Sequence, residues 1–235
     1  FLVIGAAFSV SFLIGVLVGV PLSAIGLDLR SPLSAVASLV IQAAVYAGLI
    51  RLLVVDTGAL SWSDMGIRRP DGRAILELGT GALWAGPVIL ATIVVAGVLA
   101  QLVPVTPASP LPPTGDNVGL LFNLLAGALL APIAEEILFR GFATTAWART
   151  IGPGRALVRG ALFFAFAHVL TISGASAGEA FGLALVGFAS RIPVALALGW
   201  LYLRRGSIWA PIGLHAMFNG VLIVLGEIAI RSGAV

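Results

Sequence analysis

Apolar residues run along this chain in long, nearly unbroken stretches, and the polar positions between them gather in short clusters of Pro, Gly and charge. Each stretch approaches the ~20 residues that an α-helix needs to cross the hydrocarbon core of a bilayer. The pattern predicts spans at 2–25, 33–55, 75–103, 118–147, 157–173, 178–203 and 208–230. That makes seven helices, some longer than the bilayer is thick, with tilt or a protruding turn absorbing the surplus. No internal repeat is visible. Residues 1–235 therefore read as one domain, an all-α polytopic membrane helix bundle.

Composition strengthens this reading. Of the 235 residues 60% are hydrophobic and 10% charged, with a mean hydropathy of +1.12, whereas soluble domains average about 25% charged residues. Cysteine is absent, which excludes disulfide scaffolds, thiolate metal sites and a Cys nucleophile. The net charge of +3 comes wholly from arginine, with no basic stripe interleaved with aromatics, so no nucleic-acid partner is implied. The all-arginine, Ala- and Gly-rich composition suits a bacterial, GC-rich genome. The sequence opens in an apolar run without a basic n-region or a small-residue cleavage site. Residues 1–20 thus read as a spanning helix, not a signal peptide, and leave room for an upstream tail.

The arginines sort the loops. Arg68, Arg69 and Arg73 fall in the second, Arg149 and Arg155 in the fourth, and Arg204 and Arg205 in the sixth, while the odd loops hold only Arg30. The positive-inside rule then makes the even loops cytoplasmic, with the N-terminus inside a cell membrane and the C-terminus outside. The stretch 57–73 mixes Trp62, Met65 and Ile67 with charges, as an interfacial loop or short surface helix would. The Pro-rich stretch 104–113 reads as an ordered or semi-rigid outer loop.

Against this apolar background the ionisable residues stand out, because each costs at least ~2.5 kcal/mol at the centre of a spanning helix. The fourth helix carries Glu135, Glu136 and Arg140, the fifth His168, and the seventh His215 and Asn219; the two histidines are the only ones in the chain. Glu136 and Arg140 are four apart, so the guanidinium can neutralise that carboxylate. Glu135 lies about 100° around the helix, free to face another element. His215 and Asn219 share a face, as do Phe164 and His168. Counted from the cytoplasmic ends at ~1.5 Å per residue, Glu135 lies about 18 Å deep, His168 about 17 Å and His215 about 11 Å, so the three can meet. Pro132 can kink the helix beside the Glu pair and open space.

A carboxylate and a neutral imidazole converging on water can polarise it for attack on a peptide carbonyl. A second imidazole with an Asn amide can donate to the oxyanion, a role worth about 3 kcal/mol per donor. The alternative is a divalent metal such as zinc held by Glu135, His168 and His215, for which Asn219 would be an unusual fourth ligand.

These residues carry a resemblance. The segment 131–142, APIAEEILFRGF, resembles the EExxxR motif of the CAAX-protease and bacteriocin-processing (ABI) family; 164–168, FAFAH, resembles its FxxxH motif, and 215–219, HAMFN, its HxxxN motif. The three occur in family order and the similarity covers 118–226. The resemblance, which extends to the Ras-converting type of CAAX prenyl endopeptidase, implies helical spans around a membrane-embedded chamber open to the cytoplasm. It implies endopeptidase action on a membrane-associated peptide or protein, with Glu135 and His168 activating water, His215 and Asn219 forming the oxyanion hole, and Glu136 and Arg140 supporting them. Family members are described both as metalloproteases and as metal-independent glutamate proteases. The second description is expected here, with no cofactor.

Other features carry less. Gly15 and Gly19 form a GxxxG, expected to serve ordinary packing. Residues 174–178 match GxSxG but lie in a short loop without the strand-to-helix turn that a nucleophile elbow requires. HExxH is absent. Arg191, just before Pro193, should face a cavity or a carboxylate, with Glu136 as a possible partner. Glu227 and Arg231 read as a surface pair. A proton-coupled transporter would need similar residues but usually shows paired repeats, and a non-catalytic immunity or scaffold protein could share the motifs.

Overall fold

The computed structural model describes residues 2–24, 26, 28, 31–105, 109, 111–170 and 172–234; Arg30 and part of the Pro-rich stretch lie outside these. Eight helices account for most of them: α1 Leu2–Ala24, α2 Pro32–Val55, α3 Gly72–Leu83, α4 Ala85–Leu102, α5 Asn117–Ile151, α6 Pro153–Ala167, α7 Ala177–Arg205 and α8 Trp209–Arg231. No strand occurs among the described residues.

The helix starts follow from local chemistry. Ser31 caps α2 by accepting from Ser34 N–H, with Pro32 at the first helical position. Asp71 does the same for Ala74 at α3, Asp116 for Val118 and Gly119 at α5, and Ser176 for Glu179 at α7. Each side chain satisfies a backbone donor that the first helical turn leaves orphaned. Ser176, the middle residue of the GxSxG match, is thus a capping residue. α7 ends at Gly206 with a positive φ of 62°, after Arg204 and Arg205 in its last turn, a C-terminus suited to cations.

Six segments are long and apolar enough to cross a membrane: α1, α2, α3 with α4 as one unit, α5, α7 and α8. The expected seventh span, 157–173, differs. α6 has 15 residues and reaches about 22 Å, short of the ~30 Å core. Residues 168–170 after it form a turn, and His168 among them lines a cavity.

The loops divide between two ends of the bundle. At one, Arg149 pairs with Asp64 at 2.8 Å and the Ile208 N–H donates to the Gly66 carbonyl at 3.2 Å. The second, fourth and sixth loops therefore share a face, as the arginine pattern expects. The stretch 57–73 departs from its interfacial reading: Leu60 and Met65 are buried in the core, because the loop tucks beneath α5 with Ile67 against Gly141. At the other end Glu227 of α8 accepts from the Thr114 N–H at 3.0 Å and from Arg231 Nε at 2.8 Å, and Asn123 donates to the Pro112 carbonyl. Glu227 is buried, which corrects its reading as half of a surface pair. It is the clasp that fixes the end of the Pro-rich stretch.

α3 crosses α8 at backbone contact. A Cβ on Gly81 would sit on the Ala210 carbonyl oxygen, and one on Gly213 on that of Leu78. Gly15 of the GxxxG faces open space. Large apolar side chains such as Phe12, Leu17, Leu90 and Val94 are exposed on the outer surface, as a lipid-facing perimeter requires.

Candidate active site

Two π-helical stretches, Leu125–Leu130 and Ile137–Thr144, flank the α-helical turns that carry Glu135 and Glu136. Wide turns of this type free carbonyls and re-aim side chains, and they concentrate at functional sites. Glu136 turns into the protein and is fully buried. Its Oε1 accepts from Arg140 Nη1 at 2.9 Å and from His215 Nδ1 at 2.9 Å. Arg140, also buried, reaches the Ala195 carbonyl of α7 at 3.4 Å and lays its guanidinium over the Phe164 ring at 4.3 Å.

Glu135 faces the other way, as the 100° offset requires. Its Oε2 lies 3.4 Å from His168 Nε2 and 3.9 Å from His215 Nε2. The short helix α6 explains how His168 arrives there: it is the C-cap residue of α6, and its Nδ1 contacts the Phe164 carbonyl one turn back at 2.8 Å. A carbonyl only accepts, so Nδ1 of His168 carries a proton. The carboxylate of Glu136, already holding Arg140, likewise requires a proton on Nδ1 of His215. In both neutral rings Nε2 is then an acceptor, and both turn it toward a carboxylate oxygen. Three acceptors meet around one shared position for a proton or a polarised O–H. Glu135 Oε2 has no hydrogen-bond partner within the protein although it is inaccessible to solvent.

Asn219 stands one turn from His215. Its Nδ2 donates to the Gly127 carbonyl at 2.8 Å, an oxygen in the first π-helical stretch. One amide proton is thereby committed, and the second is free to face the cavity that Asn219 lines. Phe164 is the common platform, with His168 at 4.4 Å and His215 at 5.8 Å between ring centroids.

All six predicted residues thus come together. Their partners were less visible: the Glu136–His215 bond links positions on different helices, and the carbonyls of Gly127 and Ala195 carry no side-chain signal. Phe164 was marked only by its place four residues before His168. Glu136 makes no contact with Arg191, contrary to the suggested pairing, since its Oε1 is held by Arg140 and His215. Arg191 lines the cavity instead.

That cavity, of about 640 Å³, has Glu135, His168 and His215 at its deep end. Its wall follows Ala131 and Gly127 along α5, and Asn219, Leu222, Ile223 and Gly226 along α8. Both series run away from the arginine-bearing end, toward Leu111 and Pro113. On the arginine side the space is filled by buried Leu138, Phe139, Phe142, Trp147 and Met65. The chamber therefore does not open where the arginine loops lie.

Among the described residues no group of three His, Cys, Asp or Glu side chains is arranged to hold a metal.

A family model described as "Type II CAAX prenyl endopeptidase Rce1-like" matches residues 117–221. Residues 117–221 are an Rce1-like domain. The domain begins at the first residue of α5, ends within α8 beyond Asn219, and contains every residue of the site. At the coarse level this match sets, the chain carries a CAAX-protease family domain, and among the described residues six helices are long and apolar enough to cross a membrane. No curated protein and no solved structure matches the chain. The helices that precede the Rce1-like domain nevertheless contribute to its chamber, through Ala35, Ser38 and Leu39 of α2 and Thr92 of α4.

Proposed function

We propose that the protein is an intramembrane endopeptidase that hydrolyses a peptide bond of a membrane-associated peptide or protein. The observation that carries this reading is the Glu135 carboxylate at the blind end of the cavity, within 3.4 Å and 3.9 Å of two imidazole Nε2 atoms. In this mechanism Glu135, aided by His168, takes a proton from a water molecule as its oxygen bonds to the scissile carbonyl carbon. The carbonyl oxygen becomes an oxyanion, which the free amide proton of Asn219 stabilises together with His215, whose Nε2 has first taken up a proton from solvent. The C–N bond then breaks, and the proton held by Glu135 passes to the departing amine. Atoms and charges balance without a covalent enzyme intermediate. Glu136 and Arg140 hold His215 in place and lend the imidazolium a counter-charge.

The preference for Arg-bearing loops in the cytoplasm puts the N-terminus inside. The chamber then opens toward the opposite leaflet, and the substrate enters from there. The reading is tested with the full chain in liposomes containing a pool of N-palmitoylated peptides, with products identified by mass spectrometry. New fragments from the native protein, absent with Glu135→Gln, are expected. Equal fragment yields from both proteins would overturn the assignment of Glu135.

A further inference from the structure

Away from the catalytic layer, the arginine-bearing end of α7 carries an ordered stripe on its outer side. Leu196, Trp200 and Arg204 follow at spacings of four, so they share one helical face, and all three are exposed. Each step advances ~6 Å toward the helix end. Hydrocarbon, indole and guanidinium therefore succeed one another in the order of acyl core, interface and phosphate layer in a leaflet. Arg205 adds a second exposed cation in the same last turn.

Across from this stripe stands Trp84, at the junction of α3 and α4. Its ring meets that of Trp200 edge-on, with 5.1 Å between centroids, and Arg204 lies over the Trp200 ring at 5.6 Å. The two indoles wall a recess of about 470 Å³, lined also by buried Leu201 and by Thr80, Arg204 and Arg205. Its size is that of a small-ligand site. Leu83, next to Trp84, and Leu76, one turn before Thr80, are exposed, so the recess lies on the lipid-facing perimeter.

The recess is cationic and has no counter-charge of its own. No carboxylate lines it, and neither Arg204 nor Arg205 forms an ion pair among the described residues. The acids of the neighbouring segments are engaged elsewhere: Asp64 by Arg149, Glu77 by Arg73, and Asp71 by the Ala74 N–H. Thr80 gives its hydroxyl proton to the Leu76 carbonyl at 2.8 Å, which leaves its oxygen as an acceptor. A zwitterionic headgroup would set its ammonium beside two arginines with no carboxylate to receive it. A phosphodiester bearing an uncharged, hydroxylated headgroup meets donors for the phosphate and an acceptor for the hydroxyl.

We propose that this recess binds an anionic glycerophospholipid with an uncharged, hydroxyl-bearing headgroup, drawn from the leaflet on the arginine side. Arg204 and Arg205 hold the phosphate, Trp84 and Trp200 flank the glycerol, and an acyl chain runs along Leu196. The bound lipid bridges the α3–α4 junction to α7, whether or not the chain cleaves peptides.

The test titrates the delipidated full chain in an uncharged detergent with dioleoyl phosphatidylglycerol or dioleoyl phosphatidylcholine and counts bound lipid by native mass spectrometry. Phosphatidylglycerol should bind at least about tenfold more tightly, and Arg204→Gln combined with Arg205→Gln should abolish that preference. Arg68→Gln combined with Arg69→Gln, which removes the same charge outside the recess, should keep it. Equal affinity of the native protein for the two lipids would overturn the proposal. So would an equal loss in both double variants, which would leave only a general surface charge. A second readout needs no substitution: an arginine-selective dicarbonyl is applied to native protein, and modified peptides are identified by mass. Phosphatidylglycerol, but not phosphatidylcholine, should shield Arg204 and Arg205, while Arg68 and Arg69 react alike in both. Uniform shielding, or none, would contradict the site. Glycerol 3-phosphate that shielded Arg204 and Arg205 as well as the lipid does would make a soluble phosphate the ligand and overturn the membrane source.

Discussion

His215 Nδ1 and Glu136 Oε1 meet at 2.9 Å across two helices, on the same oxygen that Arg140 holds at 2.9 Å. One buried carboxylate thereby fixes both the tautomer of a proposed catalytic imidazole and the position of a buried guanidinium. Removing Arg140 leaves Glu136 with a single partner in a site without solvent. Arg140→Leu should cost about 3–5 kcal/mol of stability, the usual consequence of breaking a buried pair from one side. The double variant Glu136→Gln with Arg140→Leu should recover much of it while remaining inactive. Thermal unfolding of the three proteins in one detergent checks this; a double variant no more stable than Arg140→Leu would show that the pair is not what the fold depends on.

The crossing of α3 and α8 predicts a second stability effect. Gly213 lies against the Leu78 carbonyl, where no side chain can move aside. Gly213→Val should cost more than the 1–3 kcal/mol typical of overpacking. Gly15→Val, at a position facing open space, should be nearly neutral. The contrast can be read from detergent-extracted yield and unfolding temperature.

The direction of the chamber can be mapped because the chain has no cysteine of its own. Single cysteines at Gly226, beside the mouth, and at Arg68, on the arginine end, should react from opposite sides of the membrane. In intact cells an impermeant maleimide should label Gly226→Cys and spare Arg68→Cys. Labelling of Arg68→Cys alone would invert the orientation.

The sequence made the bundle and its site unusually legible. Polar residues in a membrane helix are rare enough that Glu135, Glu136, Arg140, His168, His215 and Asn219 identified themselves, and helical spacing separated the roles of the two glutamates. What it hid was of another kind. Nothing in the apolar run 157–173 says that the helix stops at Ala167, because a chain that bends into a cavity has the same composition as one that continues. The buried state of Glu227 depends on Thr114, 113 positions away. The direction of the chamber follows from which side the aromatic residues Phe139, Phe142 and Trp147 fill, a packing fact that hydropathy does not carry.

Outside the membrane, the contact between the second and fourth loops should depend on acidity. The Asp64 carboxyl is held below its usual range, first by the Ser61 N–H, then by the Ser61 hydroxyl and by Arg149. A carboxylate lowered on folding adds stability that is present above its ordinary value and is lost as pH falls through the lowered one. Hydrogen exchange of residues 60–66 should therefore quicken on strong acidification. Asp64→Asn should show faster exchange at neutral pH and little further change in acid. The effect should be small, since both side chains are largely solvated.

The central claim is that Glu135 activates the water that cleaves the peptide bond. Single-turnover cleavage of a palmitoylated peptide by the full chain in liposomes, native against Glu135→Gln, tests it most directly. Loss of the general base should lower the rate at least about 100-fold, with peptide binding and unfolding temperature retained. A Glu135→Gln protein that cleaves within a few-fold of the native rate would contradict the account.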